Sequence, residues 1–337
     1  MEYRVNIDLA NTTKAELAGI IDGKDNRILN RVGAFSSLFQ LDLRGFSEPV
    51  LVLKTEEPGS KQVLAFHYDR IESVCLDMIN HLINDCIVMG AEPLAVQDLV
   101  VCGRLEKSII TRIVSAVASA CHAQGCALTG GETTEQPDIL PNNTYILGSS
   151  IVGIVERSKV IDGSGIRPGD VVVALGSSGP HTNGYTLIRD LLRQNPSLAD
   201  RPVGSGTFID AVLEPHRCYY KSLKDLFDGR LVGLSHITGG GIRENLNRIL
   251  PPDVDARIDL NLYQAPAVFK SIRDAAKASQ DMMLRTFNLG VGLAAVCRAE
   301  EADSIIGHLS MAGEKAYIIG EIVPGSGKVD CHGTVPF

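Results

Sequence analysis

The chain has 337 residues with a formal net charge of −8, and 45% of its residues are hydrophobic. This length favours two domains over a single hydrophobic core, and the composition is typical of a folded globular protein. The negative charge argues against duplex nucleic acid or a membrane surface as partner, because both would repel it. The chain has no apolar run long enough for a membrane span and no leader-like N-terminus, and its eight cysteines form no CxxC pair. We therefore expect a cytoplasmic protein.

The first half predicts alternating helices and strands. A helix over residues 13–21 is capped by Thr12 or Thr13. A helix that begins at residue 71 is predicted to end at Gly90, and Pro93 prevents it from continuing. A second long helix is predicted over residues 105–124. Strands are predicted over residues 50–54, 62–66, 92–101, 126–129 and 146–156.

The second half follows a glycine-rich connection at residues 163–170. Its predicted strands cover residues 171–175, 231–237, 291–296 and 316–323. Its predicted helices cover residues 184–193, 215–228, 242–249, 265–279 and 300–312. We assign the chain to the α+β class, with domains at 1–160 and 168–337, each a mainly antiparallel sheet that carries helices on one face.

The helix that begins at residue 71 has two distinct faces. One face carries an apolar stripe, made of Val74, Cys75, Met78, Leu82 and Cys86. The other face carries polar side chains at i, i+4, i+7 and i+8, which are Asp77, His81, Asn84 and Asp85. No Lys or Arg lies in residues 71–93. Uncompensated oxygen ligands indicate a cation site, most simply Mg²⁺ bridging a phosphate. The alternative is a surface helix whose acids face water.

A glycine- and serine-rich loop, GSSGPHTNG at residues 176–184, lies between a predicted strand and a predicted helix. Small residues before a helix N-terminus allow backbone N–H groups to approach an anion, and His181 and Asn183 add side-chain donors. A tight turn before a capped helix would explain the glycines but not the histidine.

Five stretches of the chain together resemble the phosphoribosylformylglycinamidine cyclo-ligase family, also called aminoimidazole ribonucleotide synthetase. They are the segment from Asn84-Asp85 to Gly90-Ala91-Glu92-Pro93, GCALTGGET at 125–133, SSGPHTNG at 177–184, HITGGG at 236–241 and RTFNLGVG at 285–292. The resemblance implies a homodimer in which N-terminal strands of two chains form a barrel with ATP near the interface. It also implies a C-terminal domain of mixed sheet with helices on one face.

The chemistry implied by this resemblance is ATP-dependent activation of an amide oxygen. The formyl oxygen of formylglycinamidine ribonucleotide takes the γ-phosphoryl group, the amidine nitrogen attacks, and phosphate leaves as the imidazole ring of aminoimidazole ribonucleotide closes. The protein then has to position these groups and neutralise charge. ATP, Mg²⁺ and a small phosphoribosyl amidine are the implied ligands, with no nucleic acid and no membrane.

The resemblance also implies roles for individual residues. Asp85, Glu132 and His181 match catalytic positions of the ATP and substrate cleft. The nucleotide- and phosphate-binding set is Glu56, Gly59, Lys61, Asp77, Asn84, Gly130, Gly131, Asn183, Gly239, Gly240 and Gly241. The implied Mg²⁺ ligands are Glu56, Asp77, Asn84 and Asp85.

The chain departs from the family pattern in the loop at residues 56–61. The usual Asp-Gly-Val-Gly-Thr-Lys stands here as Glu-Glu-Pro-Gly-Ser-Lys, so Glu57 adds charge and Pro58 removes an N–H. Either the two glutamates hold an extra cation, or ATP binding is weakened. An N-terminal contact segment is also missing between Arg4 and Val5, and His216, which replaces a smaller residue, is interpreted as a surface histidine. A paralogue that activates another amide or carboxylate, or an inactive nucleotide-binding subunit, is the alternative function.

Overall fold

The computed structural model describes residues 7–337, which form two sheets, one in each half of the chain. The helices of the first half are α1 (Ile7–Ile21), α2 (Lys61–His67), α3 (Ile71–Ile87) and α4 (Lys107–Ala123). Its strands are β1 (Pro49–Glu56), β2 (Glu92–Cys102), β3 (Ala127–Glu135) and β4 (Tyr145–Glu156).

The first sheet has the strand order β1-β4-β2-β3, in which only the β2–β3 pair is parallel. Along β2, residues alternate between a buried face and an open face, as expected for a strand with period two. Helices α3 and α4 pack against this sheet. The open face exposes large apolar side chains of three strands, namely Leu51, Leu53, Leu99 and Ile146.

Helix α3 carries the predicted apolar stripe, and all five of its residues are buried. The polar face of the helix is buried as well: Asp77 and Asn84 are fully buried and His81 is 8% exposed. The second half of the chain covers this face, so α3 lies between the two halves instead of facing water. The helix ends before Gly90, whose φ of 76° is the left-handed conformation expected after a helix C-terminus.

The second half contains strands β5 (Val171–Gly176), β6 (Pro202–Val203), β7 (Gly206–Thr207), β8 (Leu231–His236), β9 (Val254–Asp259), β10 (Val291–Cys297), β11 (Ala316–Pro324) and β12 (Val329–His332). Its helices are α5 (Tyr185–Gln194), α6 (Phe208–Val212), α7 (Tyr220–Leu223), α8 (Gly241–Leu246), α9 (Ala267–Ala276), α10 (Gln280–Thr286) and α11 (Ala302–Met311). The main sheet has the order β12-β9-β11-β5-β10-β8 and is antiparallel except for the β12–β9 pair, while β6 and β7 form a small hairpin. The predicted α+β class with mixed sheets is confirmed.

Two predicted elements are wrong. Residues 62–66 form helix α2 instead of a strand, because Lys61, Leu64 and Ala65 are buried at helical spacing, which a short apolar run does not distinguish from a strand. Residues 215–228 form only α7 and a 3₁₀ turn. The remainder of that segment is not helical. Its backbone groups form hydrogen bonds with side chains of α3 and not with one another. Strand β12 was not predicted.

The missing segment between Arg4 and Val5 lies outside the described residues. Among residues 7–337, no helix combines the length and the apolar character needed to cross a membrane.

Candidate active site

A cavity of about 450 Å³ lies between the two halves of the chain. The first half contributes side chains from β1 and α3, and the second half contributes the loop after β5, the end of β8 and the turn that follows it. The polar side chains lining the cavity include Lys54, Glu56, His81, Asp85, Asn183, His236 and Thr238. Three predicted site residues, Glu56, Asp85 and Asn183, therefore meet at this cavity. The predicted Thr238–Gly241 turn reaches it through Thr238.

Asp85 is the central charged residue of the cavity. Its Oδ1 accepts a hydrogen bond from Nδ1 of His236 at 2.7 Å, and its Oδ2 lies 2.9 Å from Nζ of Lys54. Burial alone would raise the pKa of Asp85, but the hydrogen bond from His236, together with the hydrogen bond from Lys54, holds it below the usual value. Asp85 is therefore an anion at neutral pH.

Lys54 joins Asp85 to the end of β1. Its Nζ lies 3.0 Å from Oε2 of Glu56, so one ammonium group bridges two carboxylates. The next residue, Glu57, has its Oε2 turned toward the backbone N–H of Gly59 at 2.7 Å. The carboxylate of Glu57 thus caps its own turn in this structure, while Glu56 points into the cavity.

Asp77 and Asn84 lie on the same helix as Asp85 but make different contacts. Asp77 Oδ1 accepts hydrogen bonds from Nζ of Lys61 at 2.9 Å and from the backbone N–H of His216 at 2.7 Å. Asn84 donates to the carbonyl of Arg217 at 2.8 Å and accepts from the N–H of Tyr219 at 3.0 Å. Their predicted role as metal ligands remains a prediction, and the structure uses both residues to hold the two halves together. Lys61, predicted to bind phosphate, is fully buried in this contact.

His181, predicted from the glycine-rich loop, lies behind the cavity in a group of buried histidines. Its φ of 59° is uncommon for a residue other than glycine, and such strain is concentrated at functional sites. The ring of His181 stacks on that of His216 at 3.8 Å between centroids. His216 is 1% exposed, so its interpretation as a surface histidine is wrong. The histidines in contact with His216 come from other segments of the chain, so no local sequence pattern could indicate that His216 is buried.

The turn after β8 is built from glycine because side chains do not fit there. Gly240 and Gly241 have φ values of 89° and 63°, and a Cβ on Gly241 would collide with the carbonyl oxygen of Leu284. Asn245 of α8 fixes the turn by donating to the carbonyl oxygens of Gly239 at 3.0 Å and Gly241 at 2.9 Å. The backbone is thereby held beside the cavity in one conformation.

Glu132, Gly130 and Gly131 lie on β3. Gly131 pairs with Asp98 and Glu132 pairs with Leu99, so Glu132 shares the open face of the sheet with the exposed Leu99. The structure therefore does not bring Glu132 to the cavity of Asp85 within one chain. Its predicted catalytic role remains a prediction.

Sequence reasoning missed two charged residues of the first sheet, Lys54 and Asp98. Asp98 is 7% exposed and forms no ion pair within residues 7–337. Burial raises its pKa to about 7. Gly131 has no room for a side chain because a Cβ there would collide with Asp98. Lys54 and Asp98 are each a single charged residue on a strand. The only sequence signal for them was a charged residue within an otherwise apolar run.

Comparison with known proteins agrees with this architecture. Residues 46–155 match the N-terminal domain of AIR synthase related proteins, and residues 167–332 match their C-terminal domain. Among solved structures, thiamine-monophosphate kinase from Stenotrophomonas maltophilia has a TM-score of 0.71 at 17% identity, with 98% of each chain covered. Hydrogenase maturation protein HypE in complex with ATP has a TM-score of 0.62 at 17% identity, covering 91% of this chain and 87% of that one. The fold and the interdomain site therefore define an AIR synthase related protein.

Curated relatives with higher sequence identity than these solved structures define the family more narrowly. The phosphoribosylformylglycinamidine cyclo-ligase of Chromobacterium violaceum is 42% identical over 298 residues, covering 88% of this chain and 86% of the relative. That of Oleidesulfovibrio alaskensis is 36% identical over 325 residues, covering 95% and 93%. The chain belongs to the phosphoribosylformylglycinamidine cyclo-ligase family.

Proposed function

We propose that this chain is an ATP-dependent cyclo-ligase that converts formylglycinamidine ribonucleotide to aminoimidazole ribonucleotide. The observation that carries the proposal is the Asp85–His236 hydrogen bond of 2.7 Å across the interdomain cavity. It joins two of the five family-like stretches, which are separated by about 150 residues, at one polar site. Full-length relatives that carry the cyclo-ligase name support the same reaction.

The residues around the cavity fit a reaction in which the protein positions groups and balances charge. Lys54, next to Asp85 and Glu56, supplies a positive charge where a transferring phosphoryl group would need one. Asn183 has a buried Nδ2 without a hydrogen-bond partner among residues 7–337, which suits an oxygen of the substrate. The Gly239–Gly241 turn offers a close backbone approach for the ribose phosphate.

Mg²⁺ is the metal that fits the carboxylates of the cavity, because carboxylate oxygens are its preferred protein ligands. Glu56 and Asp85 would hold it, since the oxygens of Asp77 and Asn84 are engaged by protein donors. When bound with ATP, the ion neutralises charge on the phosphate oxygens. Lys54 already bridges the same two carboxylates. The two carboxylates therefore hold one positive charge between them without any rearrangement of the fold.

We further propose that the chain is a homodimer. The open face of the first sheet exposes four large apolar side chains on adjacent strands, with Leu53 70% and Leu51 51% exposed. A contiguous apolar face of this kind is typical of an interaction surface. The occupant that fits is the same face of a second chain, which would also enclose Glu132 and bring it toward a bound nucleotide. The first half would then bind ATP and form the dimer, and the second half would bind the substrate.

A cytoplasmic location is also proposed. The eight cysteines are free in the structure, and six of them are buried. Unpaired cysteines in this number fit a reducing compartment.

The function is tested by incubating the purified chain with ATP, Mg²⁺ and formylglycinamidine ribonucleotide. The proposal predicts aminoimidazole ribonucleotide and ADP in equal amounts. If the chain binds ATP but forms no aminoimidazole ribonucleotide, the reaction assignment is wrong, and another amide or carboxylate substrate becomes the better candidate. If it binds neither ligand, it is an inactive member of the family.

A further inference from the structure

Four histidines form a cluster next to the Asp85 cavity. They come from helix α3 (His81), the glycine-rich loop (His181), the irregular segment before α7 (His216) and the end of β8 (His236). The ring centroid of His216 lies 3.8 Å from that of His181, 5.0 Å from that of His236 and 5.3 Å from that of His81. No more than 8% of any of the four residues is exposed.

Three of these imidazoles have nitrogen atoms at the spacing of a metal site. One ring nitrogen from each of His181, His216 and His236 lies within 4.8 Å of the others. The Nε2 atoms of His216 and His236 are only 2.9 Å apart. Nitrogen ligands about 2.0–2.1 Å from a tetrahedral metal are separated from each other by roughly 3.3 Å. In this structure the pair is joined by a direct hydrogen bond, so an ion bound to both nitrogens would replace that bond and widen the pair by roughly 0.4 Å.

Asp85 provides the outer contact that a metal-binding histidine usually has. Because the carboxylate accepts at Nδ1 of His236, the proton of that ring is fixed on Nδ1 and its Nε2 carries the lone pair. The same Nε2 faces His216. A carboxylate that orients an imidazole in this way is a recurring feature of metal sites.

Two nitrogens of the cluster lack any partner among residues 7–337. They are Nδ1 of His181 and Nδ1 of His216, both buried. A buried ring nitrogen without a partner costs free energy. In His181, Nε2 already accepts from the backbone N–H of Ser178 at 3.2 Å, so Nδ1 is the ring nitrogen left to bind an ion.

We propose that His181, His216 and His236 bind one divalent transition metal of the zinc class. Neutral imidazole suits Zn²⁺, Co²⁺ and Ni²⁺ better than Mg²⁺, which prefers oxygen. The ion would fix the glycine-rich loop and the end of β8 against each other beside the cavity. Because His181 and His216 are stacked, one ring turns out of the stack when the ion binds. The site has its own ligands but adjoins the proposed Mg²⁺ site, because Asp85 of that site also accepts the hydrogen bond of His236. It does not depend on the cyclo-ligase assignment.

The test is a titration of the chelator-treated full chain with Co²⁺, followed by visible absorption, and with Zn²⁺ in competition. We expect one Co²⁺ per chain, a tetrahedral visible spectrum without an intense thiolate band, displacement by equimolar Zn²⁺, and no displacement by millimolar Mg²⁺. Replacing a ligand by His216→Ala should weaken binding by more than the 10- to 100-fold effect typical of an outer-shell change. His122→Ala, which alters an exposed histidine at the end of α4, should bind like the parent.

Several results would overturn the proposal. One is that the parent chain binds neither Co²⁺ nor Zn²⁺ tighter than about 100 μM, a weak affinity for three converging imidazoles. A second is that His216→Ala binds with the parent's affinity and spectrum. A third is an intense thiolate band, which would identify cysteines as the ligands. The His216→Asn variant repeats the test with a polar side chain in case the alanine variant does not fold. None of these readouts uses nucleotide or turnover, so the metal site and the cyclo-ligase function fail independently.

Discussion

Lys61 and Asp77 form a fully buried ion pair at the junction of the two halves, with Nζ 2.8 Å from Oδ2. The same ammonium donates to the carbonyl oxygen of Glu214 at 2.8 Å, so the pair connects α2 and α3 to the second half of the chain. Burial raises the pKa of Asp77 to about 6 and lowers that of Lys61, and their mutual attraction opposes both shifts. Lys61 therefore makes a structural contact between the two halves, and its predicted phosphate-binding role remains a prediction.

The Lys61→Met variant should lose about 3–5 kcal/mol of unfolding free energy, because it leaves the carboxylate of Asp77 buried without its partner. The Lys61→Met/Asp77→Leu double variant should lose less, since no buried charge remains. Arg70→Met is the matched control: its ion pair with Asp210 also joins the two halves at 2.9 Å but is exposed, so it should cost less than about 1 kcal/mol. Urea unfolding measures all three variants. Equal losses for Lys61→Met and Arg70→Met would contradict this assignment.

Asp98 should make stability depend on pH. The pKa of Asp98 in the folded chain is about 7, above its ordinary value of 3.8. The protonated side chain therefore favours folding fully below pH 3.8, and this contribution is lost as pH rises through 7. Asp98→Asn removes this dependence. We expect the stability of the variant relative to the parent to increase from pH 5 to pH 8, by at most about 3 kcal/mol. Urea unfolding of both chains at pH 5 and at pH 8 measures this difference. An identical pH dependence of the unfolding free energy in both chains would refute the expectation.

Leu53 should be required for dimer formation. Leu53→Glu places a charge in the middle of the open apolar face, so the variant should elute as a monomer of 36.2 kDa, whereas the parent has twice that mass. Light scattering after size exclusion gives both masses. Met311→Glu, at an 86% exposed position in the second half, should leave the dimer intact. A monomeric parent chain at micromolar concentration would exclude the dimer.

Asp85→Asn should weaken ATP binding in the presence of Mg²⁺ by about tenfold or more, because it keeps the shape of the side chain and removes its charge. The amide oxygen still accepts from Nδ1 of His236, so the fold should survive, which circular dichroism checks. Asp190→Asn on α5 is the control, since that residue lies on the surface away from the cavity. Unchanged ATP affinity of Asp85→Asn by calorimetry would remove Asp85 from the nucleotide site.

Periodic features of this chain were predictable, and distant contacts were not. The apolar stripe of α3 repeats at helical spacing, and every residue of it is buried as predicted. Asp77 and Asn84 share the helical face of Asp85, but both also bond backbone groups that lie more than 130 residues away, so no local pattern separates them from Asp85. The histidine cluster has the same origin, because His81 and His216 are isolated in sequence and meet only after the halves pack together. Lys54 was missed for a similar reason, since it is a single charge on a strand.

The central claim is that the formyl oxygen of the substrate is activated by phosphoryl transfer. The most direct measurement uses formylglycinamidine ribonucleotide labelled with ¹⁸O at that oxygen, with mass spectrometry of the inorganic phosphate released by the parent chain. The account predicts one ¹⁸O atom in each phosphate, formed together with one aminoimidazole ribonucleotide, because the activated oxygen leaves with the phosphoryl group. Unlabelled phosphate formed together with the imidazole product would contradict this account.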